Sequence, residues 1–445
     1  MKRIVILGSG ESGTGAAILA KRNGFDVFVS DKGKIADDYK AELTAYEIDF
    51  EEGEHTESKI LNASEIIKSP GIPEKSPLIK QLRAAGIPVI SEIEFAYRYK
   101  GDSKIVGITG SNGKSTTVSL LYHICQVAGI DSALVGNIGY SIARQVALDP
   151  KEYYITEISS FQLDDIYEFK ADIAILLNIT EDHLDRYDYK FENYIASKFK
   201  IVNKQKEDDY FIYNQDDPVI EKYMKQYLPQ STLLPFTMKN EVRQGAYIKD
   251  EKMLIKFKEE QWNMNVNDFT IIGKHNQSNS MAAGIAASVM NIRSDKTRDA
   301  VTTFSALEHR LQKVLTIKGV DYINDSKSTN VNSTWFALEC IEKKVVLILG
   351  GVDKGNDYSI LDELVEEKVK AIVCLGVDNS LIHDHFDGMI ETIVDTSNME
   401  DCIKACYSLA EQGDVVLLSP SCASFDLFKN FEDRGEQFAK AVKGL

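Results

Sequence analysis

The stretch Ile105–Val118, IVGITGSNGKSTTV, constrains this chain more than any other. An apolar, β-rich run (Ile105, Val106, Ile108) enters a loop with Gly110 and Gly113, then reaches Lys114, Ser115 and Thr116. A helical pattern opens at Val118, with Leu120 and Leu121 on its buried side. Strand, glycine loop, lysine, hydroxyl and helix together make a phosphate cradle. Glycines let backbone N–H groups turn inward, the helix N-terminus adds partial positive charge, the lysine reaches terminal phosphates, and a hydroxyl suits Mg²⁺. The usual G-x-x-x-x-G-K-[ST] spacing is not met, because Ile108 stands five residues before Gly113, so Gly110-Ser111-Asn112-Gly113 is a tighter loop. An ordinary glycine turn would leave the lysine and hydroxyls that follow at once without a reason. The expected ligand is a nucleoside triphosphate.

At 445 residues the chain is too long for a single core, and about three domains are expected. No apolar run is long enough to span a bilayer, and MKRIVILGSG ends in glycines, as a first strand and not a signal peptide would. The six cysteines (Cys125, Cys340, Cys374, Cys402, Cys406, Cys422) contain no C-x-x-C pair, which suggests neither a disulfide framework nor a zinc site. A cytoplasmic enzyme, monomeric and without a membrane partner, is the expectation. The net charge of −17 argues against nucleic acid, which calls for a basic face, but not against small anions held locally.

Ile4–Leu7 followed by Gly8-Ser9-Gly10-Glu11-Ser12-Gly13 is a strand running into G-x-G-x-x-G, with a helical pattern next and a second strand ending at Asp31. This is a Rossmann-like pattern, and Asp31 stands where a ribose partner belongs. NAD is the bland inference. The pattern stops near residue 98 without a second mononucleotide half, and Glu11 would face a pyrophosphate unless it points away. A single nucleotide or nucleotide-sugar diphosphate is therefore favoured, with Ser69-Pro70-Gly71 a further ligand-facing turn.

Beyond the phosphate loop, Val135–Gly139 is a glycine-bracketed turn around Asn137, and Tyr153–Gln162 a buried strand carrying Glu157. Ala171–Ile179 is another strand, running into His183. Parallel strands deliver functional groups at their C-terminal ends, so Glu157 and His183 could join Lys114 around Mg²⁺; purely structural roles fit each of them equally well. Phe191–Ile201 is an amphipathic helix whose Lys198 and Lys200 are expected in solvent. Residues 230–270 look like a small β-meander, and Lys274-His275-Asn276-Gln277-Ser278-Asn279 opens a long helix with amides suited to a base edge or to capping. After Glu308-His309-Arg310-Leu311 a second doubly wound unit follows, with polar clusters at three strand ends: 325–330, 350–355 and 419–426. Arg310 and Lys327 are candidate phosphate contacts, and Thr329 and Lys354 could hold a carboxylate.

With these residues in view, the chain resembles the Mur ligases, ATP-dependent amide-forming enzymes of peptidoglycan synthesis. The segments are TGSNGKST, TEISSFQL, NITEDHLDRY, GKHNQSN, EHRL, NDSKSTN and GGVDKG, and the ending SPSCASFDLFKNFEDRGEQF resembles the members that add D-glutamate. The resemblance implies an α/β fold of three domains. These are a Rossmann-like UDP-substrate domain (1–98), a central P-loop-type ATP domain with a small β-meander (99–305) and a Rossmann-like amino-acid domain (306–445). It implies ATP, UDP-N-acetylmuramoyl-L-alanine and D-glutamate as substrates, and two Mg²⁺ ions. Gly110, Ser111, Asn112, Gly113, Lys114, Ser115 and Thr116 would bind the phosphates, and Asn276, Asn279, Arg310 and Asp325 the rest of the nucleotide. Ser115 and Glu157 would hold one ion, His183 and a carbamylated Lys198 the other. Lys114, Glu157, His183, Lys198 and Arg310 would be catalytic. Ser12, Asp31, Ser69 and Asn137 would hold the UDP-sugar, and Thr329, Lys354, Ser424 and Phe431 D-glutamate. The third domain would swing closed over the central one. A folylpolyglutamate-synthase-like ligase, an NAD-dependent oxidoreductase and a slowly hydrolysing P-loop switch are the competing classes.

Overall fold

The structure, a computed structural model, describes residues 2–271, 273–304 and 308–445. The expected boundary at 305/306 lies outside the described residues. The chain forms two compact units, Met1–Phe269 with Asn276–Phe304, and Thr270–His275 with Ser305–Leu445.

The first unit contains two sheets. One is parallel throughout: β1 (Arg3–Leu7), β2 (Asp26–Asp31), β3 (Asp49–Glu52), β4 (Glu65–Lys68) and β5 (Val89–Ser91), ordered β3-β2-β1-β4-β5. Successive residues of a strand point to opposite faces, and both faces of this sheet are covered. Val5, Leu7, Phe28, Ile66 and Val89 enter one cluster. Ile4, Ile6, Val27, Val29 and Ile67 enter another, which continues into Ile105, Val135 and Tyr154 of the next sheet and Ile142 of the helix Ile142–Leu148. That shared core is why two sheets make one unit.

The second sheet has nine strands. They are β6 (Lys104–Thr109), β7 (Ser132–Gly136), β8 (Tyr153–Glu157), β9 (Ile173–Leu176), β10 (Tyr210–Asn214), β11 (Thr232–Thr237), β12 (Gly245–Lys249), β13 (Lys252–Phe257) and β14 (Glu260–Asn265). The order is β14-β13-β12-β11-β10-β9-β6-β8-β7, with antiparallel pairing only in β12-β13-β14. The expected meander is therefore a continuation of the nucleotide-type sheet and not a separate layer.

Ionic contacts also join the two sheets. Glu11 accepts hydrogen bonds from the Ser141 amide (2.9 Å) and from Arg144 Nε (2.8 Å) and Nη2 (3.0 Å), so it turns away from the glycine loop that contains it. Arg144 also reaches Glu42 at 2.6 Å. Lys68 pairs with Asp165 at 2.9 Å, both of them buried, and Arg83 shares Asp165.

The second unit is built on β15 (Gln312–Ile317), β16 (Val320–Asn324), β17 (Val345–Leu349), β18 (Val369–Leu375), β19 (Ile393–Thr396) and β20 (Val415–Leu418), ordered β15-β16-β20-β17-β18-β19. Only the β15-β16 hairpin is antiparallel. Val345, Leu347 and Leu349 face one helical layer, Val346 and Ile348 the other. Among the described residues no helix is long and apolar enough to cross a membrane, and all six cysteines are free thiols.

Glu92 is the buried acid at the joint of the first two sheets. Its Oε1 accepts from the Ala143 amide, its Oε2 has no hydrogen-bond partner among the described residues, and burial pushes its pKa from 4.5 to about 8. A carboxyl whose folded pKa is raised adds stability below its unfolded pKa that is lost as pH climbs through the folded value. Between pH 4.5 and about 8 the unfolding free energy should therefore fall, by at most about 1.4 kcal/mol per pH unit. Chemical denaturation of Glu92→Gln across that range should give a visibly flatter profile; parallel profiles would contradict the assignment.

Candidate active site

The phosphate loop sits at the C-terminal edge of the nine-stranded sheet, between the end of β6 and the helix Lys114–Ala128. Its shape is imposed by side chains far along the chain. Asn178 Oδ1 accepts from the Asn112 amide at 2.8 Å and its Nδ2 donates to the Asn112 carbonyl at 3.1 Å, so a side-chain amide serves as a strand partner. The Ser111 hydroxyl meets Thr180 and the Tyr194 hydroxyl. Gly113 has φ +83°, and a Cβ there would lie 2.4 Å from Asn279 Oδ1. Asn279 in turn donates to Asn276 at 3.1 Å. The amide-rich start of the helix Lys274–Val289 thus lies against the phosphate loop, as neither a capping role nor exposure would require.

Two lysines converge on one carbonyl. Lys114 Nζ donates to Gly110 O (2.7 Å) and Ser111 O (2.8 Å), and Lys198 Nζ donates to the same Gly110 O at 2.8 Å. Lys198 is 1% exposed and lies over the Tyr194 ring. Burial, and then the charge on Lys114, hold its pKa well below the usual lysine value. The expectation of a solvated Lys198 is thereby corrected: the helix Phe191–Phe199 turns this residue inward, while Lys200 beyond it stays partly exposed and donates to Asp164 O.

Glu157 ends β8, next to β6, and is 2% exposed. Asn137 Nδ2 donates to its Oε1 at 2.8 Å, whereas Oε2 is buried without a hydrogen-bond partner among the described residues. An unpaired buried carboxylate oxygen at a strand end fits a cation ligand. Ser115 is buried in the first turn of the following helix, with Thr116 beside it. His183 takes a left-handed conformation (φ 54°), packs its ring edge on Phe161 and lies 3.6 Å from Asp182.

On the N-terminal sheet, Asp31 accepts from the Ser9 amide (2.7 Å), the Ser9 hydroxyl (2.8 Å) and the Gly33 amide (2.8 Å), which ties the end of β2 to the glycine loop after β1. Ser69 follows β4, and a Cβ on Gly8 would stand 2.7 Å from Ser69 Cβ, so the glycine lets the two loops meet. Ser12 lies in the first turn of the helix Glu11–Arg22.

In the second unit the polar strand ends are knitted together. Val352 pairs with Ala423, placing Ser424 near the loop of Lys354, and Gly350 N donates to Pro420 O. Asp325 is buried and accepts from Leu311 N, Ser328 and Ser419; burial raises its pKa against the opposing charge of Arg310. Lys327 Nζ lies 5.0 Å from the Phe431 ring centroid, and Thr329 is half-buried in the same loop. Arg434, which the sequence reading passed over within the ending it quoted, is 1% exposed. It donates to Ser326 Oγ (3.0 Å), Ser326 O (2.9 Å) and Cys422 O (3.2 Å), tying the β16 and β20 loops to the last helix, and burial lowers its pKa to about 10. Its position in a helical pattern, three residues after Phe431, gave no sign of that burial.

A glycine-lysine loop on a parallel sheet, a buried acid with one unpaired oxygen beside it and a second doubly wound unit with polar strand ends fit a nucleotide-dependent α/β enzyme. Comparison with known proteins narrows the class. Three family profiles match: the Mur ligase MurD-like N-terminal domain over 2–91, the Mur ligase middle domain over 108–287 and the Mur ligase glutamate ligase domain over 309–422. The chain is 52% identical to the UDP-N-acetylmuramoylalanine–D-glutamate ligase of Christiangramia forsetii over 444 residues, covering 100% of both chains. It is also 52% identical to the enzymes of that name from Porphyromonas gingivalis (99% of this chain, 98% of the other) and Bacteroides fragilis (100% of both). Among solved structures, a pseudomurein peptide ligase from Methanothermus fervidus superposes with a TM-score of 0.63 at 18% identity, covering 100% of both chains. The UDP-N-acetylmuramate-alanine ligase of Thermotoga maritima does so with 0.62 at 15%, again covering 100% of both. These two share the fold. The chain belongs to the Mur ligase family, with its three α/β domains.

Gly113→Ala should weaken binding of an ATP analogue at least about tenfold, since it combines a left-handed backbone with a collision at Asn279. Fluorescent nucleotide titration checks this, and an unchanged affinity would contradict the role of the loop.

Proposed function

We propose that this chain joins D-glutamate to UDP-N-acetylmuramoyl-L-alanine at the expense of ATP, as a cytoplasmic monomer. The carrying observation is a glycine-lysine loop with a buried acid beside it that has one oxygen unpaired among the described residues, in a chain 52% identical from end to end to D-glutamate ligases. The proposed division is a UDP-substrate domain over 1–98, an ATP domain over 99–305 and an amino-acid domain over 306–445.

A carboxylate does not condense with an amine at neutral pH, so the terminal carboxylate of the UDP-sugar must first be activated. It attacks the γ-phosphate of ATP, releasing ADP and forming an acyl phosphate. The D-glutamate amine then attacks the acyl carbon, the tetrahedral adduct loses phosphate, and an amide remains. Backbone N–H groups of Gly110–Thr116 cradle the phosphates. Lys114 exchanges the loop carbonyls it now holds for phosphate oxygens, and Arg310 steadies the charge that develops as the phosphoryl group transfers. Asn276, Asn279 and Asp325 complete the nucleotide contacts.

Ser115 and Glu157 would hold one Mg²⁺, and His183 with a carbamylated Lys198 the second; ions held there would supply neutralising charge to the phosphoryl group. Burial lowers the Lys198 pKa and so favours the neutral amine, the form that would add to CO₂: the nitrogen lone pair bonds to carbon, a proton leaves to solvent, and a carboxylate-like ligand remains. Ser12, Asp31, Ser69 and Asn137 would hold the UDP-sugar, with Glu11 withdrawn onto Arg144 and so no obstacle to a pyrophosphate. Thr329, Lys354, Ser424 and Phe431 would hold D-glutamate.

Phosphate release from ATP with UDP-N-acetylmuramoyl-L-alanine should depend on D-glutamate, and release indifferent to D-glutamate would remove the assignment. Lys114→Ala should lower kcat about a hundredfold or more with the circular dichroism spectrum unchanged; a near-normal rate would contradict the cradle.

A further inference from the structure

The second unit contains a cluster outside the residues used above. Cys374, His383 and Asp395 bring a thiol, an imidazole and a carboxylate within 4.8 Å of one another. Local structure explains the convergence. Cys374 and Asp395 are register partners on β18 and β19, so their side chains leave the same face of the sheet. The helix Ser380–Phe386 packs over that face through Ile382 and Phe386, members of the same cluster as Cys374, and carries His383 to the sheet edge.

The imidazole is already oriented as a ligand would be. Its Nδ1 lies 3.2 Å from Asp387 Oδ1, while Nε2 is turned to Asp395, 3.1 Å from Oδ2. A carboxylate on the far nitrogen is the usual outer support of a histidine ligand, and a metal at the near nitrogen would take the place of that nitrogen's direct contact with Asp395. Asp395 is held in turn by Asn379 Nδ2 at 2.9 Å. His383 and Asp395 also line a cavity of about 410 Å³ bounded by residues 376–380 and 395–397, so a further coordination position has room for water or a small ligand.

We propose that Cys374, His383 and Asp395 form a site for a thiophilic divalent transition metal, of which zinc is the natural occupant. One thiolate, one imidazole and one carboxylate match the borderline-soft preference of such an ion and leave a fourth tetrahedral position open. Magnesium, a hard ion that prefers all-oxygen octahedra, is excluded by the sulfur. On binding, the Cys374 thiol gives its proton to solvent and the sulfur lone pair bonds to the metal. The site braces the loop 376–380, whose Val377 amide donates to Asp426 Oδ2 at 3.1 Å, two residues beyond Ser424. Metal occupancy is thereby coupled to the loop that carries Ser424.

The full-length chain, stripped with a chelator, is titrated with Co²⁺ and followed by absorbance. One equivalent should develop a thiolate-to-metal charge-transfer band with intense tetrahedral d–d bands, and one equivalent of Zn²⁺ should bleach both. Cys374→Ser should abolish the charge-transfer band. His383→Ala, a change at the surface that leaves the core intact, should weaken binding at least about tenfold, and Asp387→Asn by about 10–100-fold. Co²⁺ uptake without a thiolate band, or a band that persists in Cys374→Ser or keeps its affinity in His383→Ala, would overturn the proposal. Those results would leave His383 as an imidazolium between two carboxylates. Because the readout is spectroscopic, it stands apart from the ligase assay.

Discussion

The carbonyl of Gly110 is shared by two lysine amines, and the first unit depends on that sharing. A peptide oxygen can accept two donors, but two ammonium groups side by side repel. Burial, and then the charge on Lys114, lower the pKa of the deeper amine and so favour its neutral form. Lys114 can then act as a cation toward phosphate while Lys198 becomes a nucleophile or a ligand precursor. Two identical side chains acquire different chemistry through depth alone.

The same logic of enforced placement runs through both units. Groups at strand ends are held by side chains from other segments: Asn178 for the phosphate loop, Asn137 for Glu157, Arg434 for the loops after β16 and β20. Among the described residues Arg434 has no carboxylate as a hydrogen-bond acceptor; carbonyl and hydroxyl oxygens take its donors, and Asp426 and Asp325 act on its charge from farther off. Such an arrangement resists movement, because displacing either loop leaves part of a buried guanidinium without an acceptor.

Much of this was legible beforehand because it is local. A strand, a short glycine loop and a lysine at a helix start are neighbours in sequence, so the cradle at Gly110–Thr116 could be read directly. So could the continuous apolar runs Ile4–Leu7 and Val345–Leu349, read as strands. What resisted reading was decided by distant partners. Glu11 looks wrong inside a glycine loop until Arg144, far along the chain, is seen to take it. The charge pattern of Phe191–Phe199 says nothing of Tyr194 and Gly110 closing over Lys198. The meander was visible as short alternating strands, but its fusion to the central sheet rests on β11 pairing parallel with both neighbours, which periodicity does not encode.

The dispersed origin of the loop's supports bears on how the chain matures on the ribosome. β6 emerges early but can pair with β8 and β9 only after both have been synthesised, and the side chains that set the loop's curvature, from Asn178 to Asn279, emerge later still. A nascent chain stalled before the helix Lys274–Val289 would carry the whole glycine-lysine signature without the architecture that gives it affinity. Nucleotide therefore cannot template the early steps of translation-coupled folding and can reward only a nearly finished polypeptide.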